Sequence, residues 1–272
     1  MQKFYKYHGA GNDFIVIDDR ANVFETQNIE KIKLLCHRRF GIGADGILLL
    51  RENPKYDFEM VYINNDGSIG SMCGNGGRCI VHFAHNILKI IKKPKKVLFL
   101  AADGEHEAKI LDNGLIKLKM QDVNEISTRN NLPFVCQGTA PHNIQFVSDL
   151  KNFPVVETGR KIRNTDPDGV NINFVEIIDD IFHVRTYERG VEDETWACGT
   201  GAVSVAIASH SLGKLKENIC HIKYPGGDLT VEFDPPSGGS NGQYKNIWLT
   251  GPAVCVFEGE ITESSPLTNL IF

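Results

Sequence analysis

The sequence predicts an α+β fold with two domains related by a pseudo-twofold axis. Three observations predict it: strand-like segments dominate the chain, two apolar segments have helical character, and each of these two follows a similar cysteine-glycine motif. The motifs occupy residues 72–77 and 196–202, and their cysteines, Cys73 and Cys198, are 125 residues apart. An internal repeat of this kind indicates duplicated supersecondary units. We therefore expect two halves, each presenting one cysteine before a buried helix.

The first half begins with two expected strands around a glycine turn at residues 9–13. A helix is expected from Asn28 to Arg39, because apolar residues recur there at helical spacing. Strands at residues 47–50 and 58–63 lead through a polar turn towards Cys73. After Cys73, apolar residues at 80, 83, 84, 87 and 88 predict a buried helix.

Strands are expected to dominate the rest of the chain, at residues 96–101, 105–111, 115–120, 134–135, 143–147, 221–223, 229–233, 243–249 and 253–261. The helix after Cys198 is apolar almost all round, which predicts deep burial, and Gly213 is its expected C-terminal cap. The polar segment 121–132 places the domain boundary. We expect one domain at residues 1–124, joined by 258–272, and another at 125–257.

Composition favours a soluble globular protein. The chain has 272 residues, 42% apolar and 23% charged, with a net charge of -5. This charge argues against nucleic acid as a partner, and no apolar run approaches membrane-spanning length. Seven widely spread cysteines suit reduced thiols and, with a start that lacks a signal peptide, a cytoplasmic protein. The oligomeric state is left open, with a homodimer as one alternative.

A cysteine just before a helix lies at the positive end of the helix dipole, which lowers a thiol pKa from about 8.5 towards neutrality. The adjacent glycines let a substrate approach the backbone, whose free N–H groups can hold a carboxylate. Inversion of a stereocentre by proton transfer needs a base on one face of the carbon and an acid on the other. Two related thiols supply such a pair, and we expect them to face each other across one substrate carbon.

At these residues the chain resembles the diaminopimelate epimerases, which invert one centre of LL-2,6-diaminoheptanedioate without pyridoxal phosphate. The segments that carry the resemblance are 8–14, 41–46, 64–68, 72–79, 170–174, 188–190, 194–202, 224–227 and 249–252. It implies that each domain is a mostly antiparallel sheet or barrel around a buried central helix. It also implies no cofactor, a small diamino dicarboxylate substrate, and a role in lysine and cell-wall precursor synthesis.

The resemblance also implies residue roles. Cys73 and Cys198 are the acid/base residues, and His142 and Glu188 help to poise the thiols and contact the substrate. Arg189 gives a forked pair to the distal carboxylate. The residues expected to bind substrate are Asn12, Asn64, Gly74, Asn75, Asn171, Glu188, Arg189, Gly199 and Thr200.

One position departs from the family pattern. Ala140 stands where the family usually has Asn, so an amide contact to the substrate is either missing or supplied by Thr139 or Asn143. A cofactor-independent racemase or epimerase of another amino acid, such as a proline racemase, is therefore an alternative. A second alternative is a redox sensor or anion-binding module that uses Cys73 and Cys198 as a disulfide pair.

Other motifs have simpler interpretations. Residues 41–46 match the dinucleotide pattern G-x-G-x-x-G, but a helix is expected before them and a strand after, the reverse of a Rossmann motif. Cys73 and Cys79 are too far apart for the usual zinc spacing, and we expect no metal. The five cysteines other than Cys73 and Cys198 are expected to be small core residues, namely Cys36, Cys79, Cys136, Cys220 and Cys255.

Overall fold

The structure, a computed structural model, describes residues 2–129, 131–166, 169–237 and 242–261. The described residues pack into two compact units, residues 2–116 with 253–261 and residues within 117–252. The expected domains were defined by the internal repeat, whereas these units are defined by packing. The expected domain bounds therefore remain a prediction. Of the expected C-terminal addition, residues 262–272 lie outside the described part of the chain.

Strands outnumber helices. In chain order the strands are β1 (Gln2–Gly9), β2 (Asn12–Asp18), β3 (Gly46–Arg51), β4 (Phe58–Asn64), β5 (Ile69–Gly70), β6 (Val97–Ala101), β7 (Gly104–Ile110), β8 (Ile116–Lys119), β9 (Ile126–Arg129), β10 (Leu132–Gln137), β11 (Ala140–Phe146), β12 (Asn171–Ile178), β13 (Ile181–Glu188), β14 (Asp193–Thr195), β15 (Ile219–Tyr224), β16 (Gly227–Asp234), β17 (Lys245–Gly251) and β18 (Val254–Ile261). The α-helices are α1 (Ile29–Cys36), α2 (Gly74–His82), α3 (Val155–Arg163) and α4 (Gly199–Ser211). A π-helical turn, Phe83–Ile87, extends α2.

The first unit is a mostly antiparallel sheet packed around α2. Strands β18, β1 and β2 pair antiparallel, β2 pairs parallel with β3, and β3 pairs antiparallel with β4. Strand β4 then pairs antiparallel with β5 and parallel with β6, which forms a hairpin with β7. Helix α2 packs against β1 to β4 and β7.

The second unit repeats this order of pairing around α4. Strands β9, β10 and β11 pair antiparallel, β11 pairs parallel with β12, and β12 pairs antiparallel with β13. Strand β13 pairs antiparallel with β14 and parallel with β15, which continues antiparallel through β16 to β17. The predicted α+β class, with mostly antiparallel strands around a buried helix in each unit, is confirmed.

The predicted glycine turn is a two-residue hairpin between β1 and β2. Ala10 and Gly11 both have positive φ angles, 56° and 91°, as the type I′ turn requires. Gly9 pairs with Asn12 directly beside the turn. The tight turn therefore makes Asn12 the first residue of β2, which fixes the position of its Cα and Cβ atoms.

Helix α4 confirms the expected burial, because every residue from Gly201 to Ser209 is buried. Gly213, two residues after the helix, has a φ of 68°, the left-handed conformation that ends many helices. Helix α3 was not predicted. It has Gly159 at its centre, where an added Cβ would lie 2.5 Å from Tyr187 Cβ. The close packing needs glycine, and glycine weakens the helical pattern in the sequence.

The cysteines outside the two motifs differ in exposure. Cys36, Cys79 and Cys220 are buried, as expected for small core residues. Cys136 is exposed and Cys255 is only half-buried, so the expectation is wrong for Cys136 and is not met in full by Cys255. Cys136 lies in β10 between the buried residues Val135 and Gln137.

Candidate active site

Cys73 is the N-cap residue of α2 and has extended backbone angles, φ −100° and ψ 127°. Gly74 and Asn75 form the start of the first turn, where backbone N–H groups have no partner within the helix. The positive end of the helix dipole therefore lies beside the thiol.

Asn12 joins the thiol to the rest of the first unit. Cys73 Sγ donates to Asn12 Oδ1 at 3.6 Å, and Asn75 Nδ2 donates to the same oxygen at 3.3 Å. Asn12 Nδ2 donates to Asp45 Oδ2 at 2.6 Å. Three predicted site residues, Asn12, Cys73 and Asn75, thus meet in one hydrogen-bonded cluster.

A charged network holds Asp45 in place. Arg38 Nη2 lies 2.8 Å from Asp13 Oδ1 and 2.7 Å from Asp45 Oδ1, and Lys6 Nζ lies 2.6 Å from Asp13 Oδ2. Burial opposes ionisation of Asp13, but hydrogen bonds from Arg38 and Lys6 outweigh it and lower its pKa to about 2. Burial, with repulsion from Asp13, raises the pKa of Asp45. The acceptor that orients Asn12 is therefore itself held by Arg38, which also binds Asp13.

Arg78 orients Asn75 from the other side. Its side chain is completely buried in α2. Arg78 Nη2 donates to Asn75 Oδ1 at 2.8 Å and Nη1 donates to Gly74 O at 3.1 Å. Because guanidinium groups only donate, Asn75 must present its Nδ2 to Asn12.

Asn64 ends β4 and lies at the sheet edge that carries Asp45. It pairs with Gly46 of β3, and the backbone N–H of Asn65 donates to Asp45 O at 3.2 Å. Its own amide donates to Ser68 Oγ at 3.0 Å, within the polar turn. The structure places Asn64 near the cluster through the sheet.

Cys198 occupies the equivalent position in the second unit, as the N-cap residue of α4. Its sulfur accepts the N–H of Gly201 at 3.4 Å and lies 3.4 Å from Thr200 Oγ1. Tyr224 from β15 donates its hydroxyl to Cys198 O at 3.2 Å. Gly199 and Thr200 open the first turn, as Gly74 and Asn75 do in α2.

His142 of β11 is completely buried and reaches Thr200. Its Nε2 lies 2.9 Å from Thr200 Oγ1, and its Nδ1 lies 3.1 Å from Asn173 Nδ2. Burial, with a smaller effect from the charge of Arg189, lowers the pKa of His142 to about 3. The imidazole is therefore neutral at physiological pH.

Asn171 and Arg189 lie beside this histidine, and Glu188 precedes Arg189 in the chain. Asn171 Oδ1 accepts the backbone N–H of Arg189 at 2.8 Å, and its Nδ2 donates to Pro141 O at 3.0 Å. Glu188 Oε2 accepts the hydroxyl of Thr195 at 2.9 Å. Within the second unit the structure thus brings His142, Asn171, Arg189, Cys198 and Thr200 into one connected cluster, flanked by Glu188.

Sequence reasoning missed four residues that orient these side chains: Asp45, Arg78, Asn173 and Tyr224. A signal existed for Asn173, since it shares a strand face with Asn171. Asp45 lies in the glycine segment 41–46, whose helix-before, strand-after context is confirmed by α1 and β3. Arg78 and Tyr224 lie within quoted motifs, but only the structure shows what they contact.

The side chain of Asn143 does not face His142. Neighbouring residues of a strand point to opposite faces, and Asn143 pairs with Ile172, part of the apolar cluster with Val155 of α3. Its amide atoms are buried without a hydrogen-bond partner in the described part of the chain. Of the alternatives raised by Ala140, this orientation favours a missing amide or a contact from Thr139 over one from Asn143.

Gly201 gives a direct test of this packing. A Cβ at Gly201 would lie 2.5 Å from Asn173 Oδ1, whereas at Gly76, the same position in α2, the nearest atom is the flexible Leu48 Cδ2 at 3.2 Å. We expect Gly201→Ala to lower stability by about 1–3 kcal/mol and to reduce activity, and Gly76→Ala to do so less. Thermal unfolding and turnover of both variants measure this. Equal effects would contradict the close packing of Asn173 against Gly201.

Two features are absent from the described residues. No group of three or more His, Cys, Asp or Glu side chains there could hold a metal ion. No helix in the same residues is both long and apolar enough to cross a membrane.

Solved structures share this architecture. A phenazine biosynthesis protein of the PhzF family from Bacillus anthracis aligns with a TM-score of 0.74 at 16% identity, over 96% of this chain and 99% of that protein. A probable proline racemase from Agrobacterium radiobacter K84 aligns with a TM-score of 0.68 at 14% identity, over 97% and 93%. The chain thus has the fold of the proline racemase and PhzF class.

Sequence similarity is closer. The family model described as diaminopimelate epimerase matches residues 4–126 and 134–255. Diaminopimelate epimerase of Flavobacterium psychrophilum is 49% identical over 95% of this chain and 100% of that protein, and that of Chlorobaculum tepidum is 41% identical over 93% and 99%. The chain belongs to the diaminopimelate epimerase family. The predicted family and enzyme class, an amino-acid epimerase, are confirmed.

Proposed function

We propose that this chain converts LL-2,6-diaminoheptanedioate to its meso isomer by moving one α-proton between Cys73 and Cys198. The observation that carries the proposal is the repeated placement of a cysteine at the N-cap of each buried helix. The names of relatives up to 49% identical support the substrate. No cofactor takes part, since the proposed acid and base are both protein thiols.

The chemistry follows from the two N-caps. One thiolate removes the proton from Cα, and the other thiol donates a proton to the opposite face, so the centre is inverted. The substrate carboxylate gains negative charge as the proton leaves. N–H groups of Gly74, Asn75, Gly199 and Thr200, at the helix starts, stabilise that charge more in the transition state than in the ground state.

His142 serves as a hydrogen-bonding group in this proposal. Its low pKa keeps it neutral, so it does not supply the transferred proton. It poises Cys198 through Thr200, which lies within hydrogen-bonding distance of both. Glu188 contacts the substrate and helps to poise the thiols.

The remaining site residues select the substrate. Asn12, Asn64 and Asn171 read its polar groups, and Arg189 binds the distal carboxylate through its planar fork of donors. These groups suit a diamino dicarboxylate, because they offer contacts to a second amino-acid end. A cytoplasmic role in lysine and cell-wall precursor synthesis follows from that substrate.

Ala140 supports one rival, the same chemistry on another amino acid. It cannot offer an amide, and the side chain of Asn143 faces away from His142. Proline, which lacks a second carboxylate, is a suitable comparison substrate. A redox sensor would need none of the substrate-binding asparagines.

Incubation of the reduced enzyme with LL-diaminopimelate in heavy water tests the function. Deuterium is expected at one Cα, together with the meso isomer, and proline is expected to show no exchange. A folded, reduced enzyme that exchanges no proton of LL-diaminopimelate would exclude the proposal. Exchange of proline alone would favour the rival, and reversible oxidative inactivation without any isomerase activity would favour the sensor.

A further inference from the structure

Asn173 has one defined amide orientation. It is completely buried, and its Nδ2 lies 3.2 Å from the backbone carbonyl of Asn143. A carbonyl can only accept, so the nitrogen must point there. The other amide atom, Oδ1, accepts the hydroxyl of Thr186 at 2.8 Å. The second hydrogen of Nδ2 is then aimed at His142 Nδ1, 3.1 Å away.

This contact selects the tautomer of His142. Because Nδ1 accepts from Asn173, a neutral imidazole must carry its hydrogen on Nε2. Asn171 Nδ2 also lies near Nε2, but at 3.5 Å, which is longer than its 3.0 Å bond to Pro141 O and than the 3.1 Å contact between Asn173 and Nδ1. The shorter Asn173 contact therefore sets the tautomer of His142. Its Nε2–H donates to Thr200 Oγ1 at 2.9 Å.

Thr200 passes this polarity to Cys198. Once its oxygen accepts from His142, its own hydrogen is free to donate to Cys198 Sγ, 3.4 Å away. The backbone N–H of Gly201 donates to the same sulfur at 3.4 Å. Two donors aimed at one sulfur favour its anionic form.

The first unit has the opposite polarity. Arg78 fixes Asn75, Asn75 donates to Asn12 Oδ1, and Asp45 accepts from Asn12 Nδ2. The atom presented to Cys73 is therefore an acceptor, Asn12 Oδ1 at 3.6 Å. An acceptor facing sulfur favours the protonated thiol.

Charged and titratable groups near the two sulfurs also affect which thiol is ionised. Arg78 and Cys79 of α2 interact with Cys73, and the cation opposes protonation. The guanidinium, however, donates to Gly74 O and Asn75 Oδ1, and Asp45 places negative charge behind Asn12. On the other side, Tyr224 of β15 interacts with Cys198 and Glu188, and His142 of β11 is neutral.

We propose that Asn173 is a positioning residue that sets the tautomer of His142, and through Thr200 makes Cys198 the thiolate and Cys73 the thiol of the resting enzyme. The proposal rests on the proposed function of both thiols as the acid/base pair. It adds the direction of proton transfer in the resting enzyme, in which Cys198 accepts the α-proton and Cys73 donates one.

Site-resolved alkylation without substrate tests the proposal. The full-length enzyme is treated with iodoacetamide across a pH series, and peptide mass spectrometry gives a rate for each cysteine. The accessibility of a cysteine changes the size of its alkylation rate at every pH. The midpoint of the pH dependence instead reports the pH at which its thiolate forms. The midpoint of Cys198 is expected below that of Cys73. A Cys73 midpoint equal to or below that of Cys198 would overturn the assignment.

Matched variants test the route through Thr200. Thr200→Val keeps the shape and removes the hydroxyl, so about tenfold less Cys198 thiolate is expected at a fixed pH. Thr200→Ser keeps the hydroxyl and is expected to retain the wild-type midpoint. Identical midpoints in the two variants would exclude the route.

Two measurements address Asn173 itself. Asn173→Leu removes the amide that donates to His142 Nδ1 without adding a charge, and is expected to raise the Cys198 midpoint towards that of Thr200→Val. Should that variant not fold, nitrogen resonances of isotope-labelled wild-type enzyme decide, because a protonated Nδ1 on His142 would refute the assignment. None of these readouts needs turnover, so failure of the epimerase function would appear separately, in the heavy-water experiment.

Discussion

Replacing either Cys73 or Cys198 with alanine is expected to lower the rate of epimerisation at least about a thousandfold, because each substitution removes an acid or a base from the transition state. Inversion needs both groups, so neither single variant should form the meso isomer at a useful rate. Turnover of LL-diaminopimelate by purified variants measures the loss. Full activity in either variant would show that the two-thiol mechanism is wrong.

The structure supplies matched controls for this loss. Cys136 is exposed, and its sulfur donates a hydrogen bond to Gly138 O in its own turn, so Cys136→Ala is expected to keep wild-type activity. Cys198→Ala also removes the cap contact to the Gly201 N–H, which is worth about 1 kcal/mol. Cys198→Ser can keep that cap while replacing the thiol with a far weaker acid. It is therefore expected to be as inactive as the alanine variant but more stable.

Both cysteines could be found from the sequence because the motif is short, local and duplicated. A cysteine followed by glycines and an apolar segment has one plausible placement, the start of a buried helix, and both copies adopt it. The hairpin before Asn12 could be predicted for a similar reason, since its turn needs positive φ angles. Local backbone chemistry therefore carried most of the correct expectations about the fold.

The orientation of side chains could not be predicted in this way. The amide of Asn12 is set by Asp45, 33 residues away, and that of Asn173 by the carbonyl of Asn143. Such contacts depend on strand register, which no short motif encodes.

His142 is expected to give the protein a distinctive dependence of stability on pH. Its pKa is about 3 in the folded chain against 6.5 ordinarily, mainly because burial penalises the cation. Below pH 6.5 the unfolded chain binds a proton that the folded chain refuses, so protons favour unfolding. The stability due to neutral His142 is therefore complete above pH 6.5 and is lost progressively as the pH falls towards 3.

A comparison with His142→Gln isolates this group. The variant should be less stable at neutral pH because a buried hydrogen-bonding group is altered. Its deficit should then shrink by about 1.4 kcal/mol per pH unit below pH 6, since glutamine binds no proton. Urea unfolding of both proteins between about pH 7 and 4.5 measures the gap, in a range where most carboxylates remain ionised. A gap that stays constant would mean that folding does not lower the pKa of His142. The imidazolium formed at mildly acid pH would then donate from both nitrogens, so its Nδ1 could not accept from Asn173.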